Sequence, residues 1–429
     1  MSSNETPNQA PEQWVRRAFD LTRTGDADEA RVWMEKAASH GHRQAPIFAA
    51  IWRLVGYGGA VDPEAARGLL EQAVSNGEPL GHTMLAALAV SGLQGPRDWG
   101  RALSRLVDAA RLGESRALLQ LALLLPDGDP DAAALVYAAG VLGNGTARYF
   151  HGRALCAAAE PAQRVEGQRW LADMAARGEP CSRLYLARHG LPSSGEPQPA
   201  SPPQREFDFE AIAARAHWPH DRPLPAEVVH NENPRIASLP NLLTREECDY
   251  LMSRGAPYLQ PAAVGTAAGG VAMTQVRSND SMLFSAADTD VVVQSLDSRI
   301  ARALGQPAEH GEWLALLRYQ PGQAYAPHCD WIDPSMPGKA EIVARQGQRI
   351  ATLLVYLNDE FQGGHTRFVQ LGWSFKGQPG EALLWRNVTA EGQVEPRTLH
   401  AGEPPASGEK WLLSKWMRDR PQSTLAGRP

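Results

Sequence analysis

The sequence predicts a multidomain protein: an N-terminal all-α helical-repeat solenoid, then a C-terminal double-stranded β-helix (jelly roll) with flanking helices. Three observations predict it. Residues 13–190 are rich in Ala, Leu, Arg and Glu and repeat themselves. Residues 191–206 carry five prolines between Pro192 and Pro203, a composition that packs no core and reads as an extended linker. Beyond them lie short β-branched and aromatic runs bounded by Gly, Pro and Asn, the pattern of a two-sheet β fold. The expected boundaries are helical repeats over 13–190, a proline-rich linker and short helix over 191–229, and a β domain over 230–420.

The repeats are visible in ARVWMEKAASHGHRQA, ARGLLEQAVSNGEPLG, ALSRLVDAARLGESRA, ALVYAAGVLGNGTA and GQRWLADMAARGEPCS. Each holds one glycine at the same place: Gly41, Gly77, Gly113, Gly143 and Gly178, separated by 36, 36, 30 and 35 residues. A glycine there ends a helix in the left-handed conformation. Asp62-Pro63 and Asp129-Pro130 open new helices, with Asp as N-cap and Pro at the first helical position. The pattern resembles Sel1-like repeats, relatives of the tetratricopeptide hairpin, and the resemblance implies a surface that recruits a protein partner.

After the linker, residues 209–218 predict a short helix. Thr244 with Glu247 three residues on forms a capping box that opens an amphipathic helix. The strands follow in VRSNDSMLF, WLALLRYQ, RIATLLVYLN, GGHTRFVQ, GEALLWRNV and KWLLSKWMRD.

Bulk properties narrow the function. A net charge of −6 argues against a general nucleic-acid or anionic-membrane role. No apolar run approaches a bilayer span, and the N-terminus has neither the basic nor the apolar region of a signal peptide. Cys156, Cys181, Cys248 and Cys329 fall at unrelated spacings, unlike a zinc site or a disulfide framework. A reduced, cytoplasmic setting is the expectation.

The chemistry sits in the last hundred or so residues. His328-Cys329-Asp330 is followed by His400 and then Lys410. Two imidazoles and one carboxylate take one face of Fe(II) and leave positions open for oxygen chemistry. Strand alternation puts His328 and Asp330 on one face, with Cys329 turned away. Lys410, ten residues past His400, supplies a cation suited to a dicarboxylate co-substrate such as 2-oxoglutarate.

Several motifs in order add to this. Tyr319, Gly322-Gln323, Tyr325, His328 and Asp330 come first, then Arg349, Thr352, Tyr356 and Leu357. Gly363, Gly364, Thr366 and Phe368 follow, and His400, Lys410-Trp411 and Trp416 close the set, with Arg277 upstream. From about Pro234 to Arg420 the chain resembles the catalytic domain of the prolyl 4-hydroxylase alpha-subunit family of 2-oxoglutarate/Fe(II) dioxygenases. The resemblance implies His328, Asp330 and His400 as catalytic metal ligands, with Lys410, Tyr319 and Thr366 on 2-oxoglutarate. It implies Tyr325, Arg349 and Trp416 along a peptide groove. It further implies Fe(II), 2-oxoglutarate and O2 as cofactor and co-substrates, ascorbate as candidate reductant, and peptidyl proline as substrate. Hydroxylation of a free amino acid or another side chain stays open, as does an idle scaffold or sensor built on the repeats. Three departures from the family pattern bear on substrate choice: His365 stands where the family has an acid, Arg418 follows Trp416 by two, and residues 265–273 are small and flexible.

Overall fold

In the computed structural model, the described residues are 9–192, 205–262, 264–265, 271–272 and 277–422. Most of the proline-rich stretch and most of the 265–273 loop therefore lie outside the described residues. The chain divides into two compact units. One comprises Met1–Ala147, Ala200–Trp218 and Ser285–Gln294; the other comprises Arg148–Pro199, Pro219–Phe284 and Ser295–Pro429.

Eleven helices precede the proline-rich stretch among the described residues: α1 (Gln9–Thr24), α2 (Ala27–Ser39), α3 (Ala45–Val55), α4 (Pro63–Ser75), α5 (Leu80–Ala89), α6 (Trp99–Arg111), α7 (Ser115–Leu124), α8 (Pro130–Val141), α9 (Gly145–Cys156), α10 (Pro161–Ala176) and α11 (Pro180–Arg188). From α1 to α8 each helix packs on the next in sequence, the stacking expected of a helical repeat array. The five repeat glycines follow α2, α4, α6, α8 and α10, and all have positive φ, between 73° and 96°. Asp62 and Asp129 cap α4 and α8 as the sequence predicts, accepting from the backbone N–H of Ala65 and Asp131 at 2.9 Å each. Small residues make the interior: Ala37, Ala49, Ala66, Ala73, Ala102 and Ala109 are fully buried, letting helix axes approach closely.

Four more helices follow: α12 (Phe209–Ala214), α13 (Arg245–Gly255), α14 (Val291–Ala303) and α15 (Lys339–Gln346). Thr244 and Glu247 form the reciprocal capping box at the start of α13. The strands are β1 (Val228–Asn231), β2 (Ile236–Leu239), β3 (Gln260–Pro261), β4 (Val264–Gly265), β5 (Val271–Ala272), β6 (Asp280–Leu283), β7 (Ala315–Tyr319), β8 (Tyr325–His328), β9 (Arg349–Tyr356), β10 (Phe361–Gly363), β11 (Thr366–Phe368), β12 (Trp373–Phe375), β13 (Ala382–Arg386), β14 (His400–Gly402), β15 (Pro405–Gly408) and β16 (Lys410–Arg418). An eight-stranded sheet runs β1-β2-β13-β9-β16-β7-β6-β3, and a four-stranded sheet runs β12-β11-β14-β8. Every pairing is antiparallel, as in a jelly roll. Leu317, Leu354, Tyr356, Leu383, Trp385 and Leu412 from the large sheet share one core with Phe368 from the small one. Among the described residues, no helix is long and apolar enough to cross a membrane.

Candidate metal centre and co-substrate pocket

The first cluster is set by strand pairing. His400 opens β14 and pairs directly with His328, the last residue of β8. The ladder stops there, so Asp330 lies in a bend just past the strand rather than on it. Its side chain still comes to the same place, because the hydroxyl of Thr352 on β9 donates to Asp330 Oδ2 at 2.7 Å. Asn387 Nδ2 donates to that same hydroxyl oxygen at 2.9 Å, which turns the hydroxyl proton toward the carboxylate. Thr352 and Asn387 are both fully buried.

The two imidazoles are oriented in matching ways. His328 Nδ1 lies 2.9 Å from the carbonyl of Ala326, and His400 Nδ1 lies 2.9 Å from that of Thr398. A carbonyl only accepts, so Nδ1 carries the proton and each Nε2 keeps its lone pair. Those Nε2 atoms sit 3.7 and 3.8 Å from the Asp330 carboxylate. Burial and the facing His400 push His328 down to about 3, so it stands neutral. Burial pushes the Asp330 carboxyl up, but the two imidazoles when protonated, Arg349 and the Thr352 hydrogen bond outweigh it and the net shift is downward. A divalent metal requires unprotonated imidazole nitrogens beside an ionised carboxylate. Among the described residues, this is the one such group whose ligand atoms all lie within 4.8 Å. Trp385 packs edge-on against His400 at 4.7 Å, and Tyr325 stacks on His328 at 3.5 Å.

The second cluster is built across β16 and its neighbours. Lys410 opens β16, pairs with Tyr319 at the end of β7, and is wholly buried. Its ammonium has no hydrogen-bond partner. The ring centres of Tyr319 and Tyr356 lie 5.3 and 5.5 Å from Nζ. The Tyr356 hydroxyl is 2.8 Å from the Thr366 hydroxyl. Gly364, at φ +68°, lies under Lys410: a Cβ there would sit 2.9 Å from the Phe361 ring and 3.3 Å from Lys410 Cδ. Burial pushes Lys410 down to about 7, reinforced by Lys376 and opposed by Glu403. Burial likewise raises Tyr319 to about 12, keeping its hydroxyl a donor. A buried ammonium faced by two tyrosine rings and without a hydrogen-bond acceptor is a place that a carboxylate fits.

Arg349 and Trp416 stack on each other, the guanidinium 4.4 Å from the ring centre. Arg349 is held in place by Glu312, at 2.6 and 2.7 Å. Arg418 donates to the same Glu312 and to the carbonyl of Gly347. His365 stays apart from the metal ligands, half-exposed and 3.6 Å from Glu403. Tyr356 and Thr352, marked in the sequence only as motif positions, complete these sites with Asn387 and Glu312, which do not stand out there. Alternation along β9, which sends Thr352, Leu354 and Tyr356 to one face, is the signal for two of them.

Residues 314–418 match the 2OG-Fe(II) oxygenase superfamily. Prolyl 4-hydroxylase 1 of Arabidopsis thaliana is 35% identical over 206 residues, spanning 44% of this chain and 71% of that protein. The chain belongs to the 2OG-Fe(II) oxygenase superfamily. Probable prolyl 4-hydroxylase 9 of the same plant is 30% identical over 247 residues, spanning 53% of this chain and 81% of the relative. A solved Sel1 repeat protein from Oxalobacter formigenes aligns at a TM-score of 0.36 and 19% identity, covering 42% of this chain and 77% of its own. Membership makes the protein a 2-oxoglutarate-dependent dioxygenase, using Fe(II), 2-oxoglutarate and O2. The donor set fits that chemistry: a two-histidine, one-carboxylate face for iron, and an unpaired buried ammonium for the co-substrate's far carboxylate.

Proposed function

We propose that the protein hydroxylates peptidyl proline. His328, Asp330 and His400 would hold Fe(II), and Lys410, Tyr319 and Thr366, joined by Tyr356, would hold the distal carboxylate of 2-oxoglutarate. Bound iron with 2-oxoglutarate and O2 supplies an oxidant strong enough for an unactivated C–H bond, yielding succinate, CO2 and the hydroxylated product. The protein's own residues do the rest. Thr352 holds Oδ2 of Asp330, with its hydroxyl oriented by Asn387, so that the carboxylate would be fixed in place as a ligand to the iron. The carbonyls of Ala326 and Thr398 fix both histidine tautomers. Tyr325, Arg349 and Trp416 would line the peptide groove, where aromatic faces grip a proline ring.

The observation that carries the reading is Lys410: a fully buried ammonium with no partner has no place in an idle fold. The helical repeats would recruit the protein substrate or another protein partner, ascorbate would serve as reductant, and the setting would be cytoplasmic. A net charge of −6 favours no nucleic-acid partner. Incubation with Fe(II), 2-oxoglutarate and a library of proline-containing peptides tests it. One oxygen gained on proline, tied to succinate release, supports the reading; succinate release with oxygen gained only on free amino acids or other side chains overturns the substrate.

A further inference from the structure

The segment ahead of the proline-rich stretch reaches into the co-substrate pocket's supports. Lys410 is seated by two pieces of chain, residues 358–364 and 409–411. They are stitched together by one buried side chain: Asn358 Nδ2 donates to the carbonyl of Glu409 at 2.8 Å, and Asn358 Oδ1 accepts from the N–H of Trp411 at 2.9 Å. Gly364, on the first piece, lies close to both the buried Phe361 ring and the Lys410 stem.

The acids on these two pieces are all gripped by arginines. Arg188 on α11 reaches Asp359 at 2.9 Å and Glu360 at 3.4 Å. Arg183 on the same helix reaches Glu409, next to Lys410, at 3.3 Å. Arg245 at the start of α13 reaches Glu360 at 2.6 Å. The helix α13 is tied in turn to α9 through Tyr149 and Arg153, and to α11 through Cys181. Asp249 on α13, buried, accepts from Tyr149 at 2.6 Å and from Arg153 at 3.0 Å, and its carbonyl accepts from Cys181 at 3.4 Å. Burial raises the Asp249 carboxyl to about 6 despite these donors. All of these residues lie within one compact unit.

We infer that α11 is a brace for the co-substrate pocket: Arg183 and Arg188 are positioning residues that hold residues 358–361 and Glu409 in the geometry that seats Lys410. The inference rests on Lys410 as the 2-oxoglutarate anchor. It makes part of the helical sequence a working component of the oxygenase, so the catalytic unit begins before the proline-rich stretch.

The test uses the full chain carrying Arg188→Glu, which sets like charges against Asp359 and Glu360, alongside Lys410→Met. Amide hydrogen exchange over residues 357–364 and 409–411 reads the brace directly, and the 2-oxoglutarate requirement reads its consequence. Arg188→Glu is expected to speed exchange in both pieces and to raise the 2-oxoglutarate requirement about five-fold, the scale of one partly exposed ion pair. Iron retention should not change, and adding Asp359→Arg, which relieves the repulsion at Asp359 but not at Glu360, should restore both readouts in part. Unchanged exchange overturns the brace whatever Lys410→Met does. So does an unchanged 2-oxoglutarate requirement when Lys410→Met raises it. An unchanged requirement in Lys410→Met itself removes the anchor reading, and exchange alone then decides the brace.

Discussion

Lys410 and Lys415 stand five residues apart on β16, and both are buried to the last percent of their surface. Lys415 is fully provided for: Asp297 on α14 lies at 2.5 Å and the carbonyl of Glu312 accepts from it at 2.6 Å. Gly311 gives its stem room, since a Cβ there would fall 2.2 Å from Lys415 Cε. Lys410 has tyrosine faces around it and no acceptor. The same residue type, strand and burial therefore give two different objects. A buried charge hydrogen-bonded to its counter-charge inside the protein is structure; one without a hydrogen-bond acceptor is the candidate for binding a carboxylate proposed above.

Breaking the paired lysine should cost the most. Lys415→Met removes both the ion pair to Asp297 and the donor to the Glu312 carbonyl, and stability should fall by about 3–5 kcal/mol, read by denaturant unfolding. The folded remainder should keep a normal 2-oxoglutarate requirement. Breaking the unpaired lysine should reverse this. Lys410→Met should leave unfolding unchanged or slightly harder, while the 2-oxoglutarate requirement rises with the loss of about 2–5 kcal/mol at a buried charge pair. If both variants lose stability alike, the contrast between the two lysines is wrong.

The third test asks whether the metal end follows the paired rule. Thr352→Val removes the hydroxyl that holds Asp330 Oδ2 while keeping the shape. Iron affinity, read by chelator competition, should weaken about ten-fold, the usual scale for a lost partner of a metal ligand. Thr352→Ser should recover it. Equal affinity in the Val variant would leave Asp330 held by packing alone.

The smallest effect lies in pH. Lys410 is pushed down to about 7 in the folded, ligand-free protein, against an ordinary value of 10.5. Between those values the unfolded chain holds a proton that the folded chain lacks, so stability should rise with pH across that window. Pairing with a carboxylate restores the charge, so 2-oxoglutarate binding above about pH 7 should take up a proton and weaken as pH rises. Calorimetry in two buffers of different ionisation enthalpy measures the uptake. Lys410→Met should show none.

What was legible in the sequence is what repeats or alternates locally. The glycines after α2, α4, α6, α8 and α10, the caps at Asp62 and Asp129, and the Thr244 box each depend on a few neighbouring residues. The triad and Lys410 were legible because ordered motifs fix their residue types. Less legible was whatever depends on register between distant strands. Asn387 finds Thr352 only because β13 and β9 pair, and Tyr356 closes the pocket only because β9 lies beside β16. Val291-Val292-Val293 has the composition of a strand yet begins α14, where Asp290 caps it by accepting from the N–H of Val293 at 3.0 Å. The arginines of α11 look like ordinary solvated charges on a repeat helix until Asp359, Glu360 and Glu409 are brought beside them.

The direct pairing of His328 with His400 has one more consequence. Side chains alternate faces along a strand, so a slip of one residue between β8 and β14 would send one imidazole to the far side of the sheet. A chain with the wrong strand alignment would be compact, apolar inside and unable to grip a divalent ion. With iron held as proposed, metal retention would be a proofreading signal for β-strand assembly: chelator resistance of freshly folded protein should count the molecules whose ladders closed correctly, before any substrate is added.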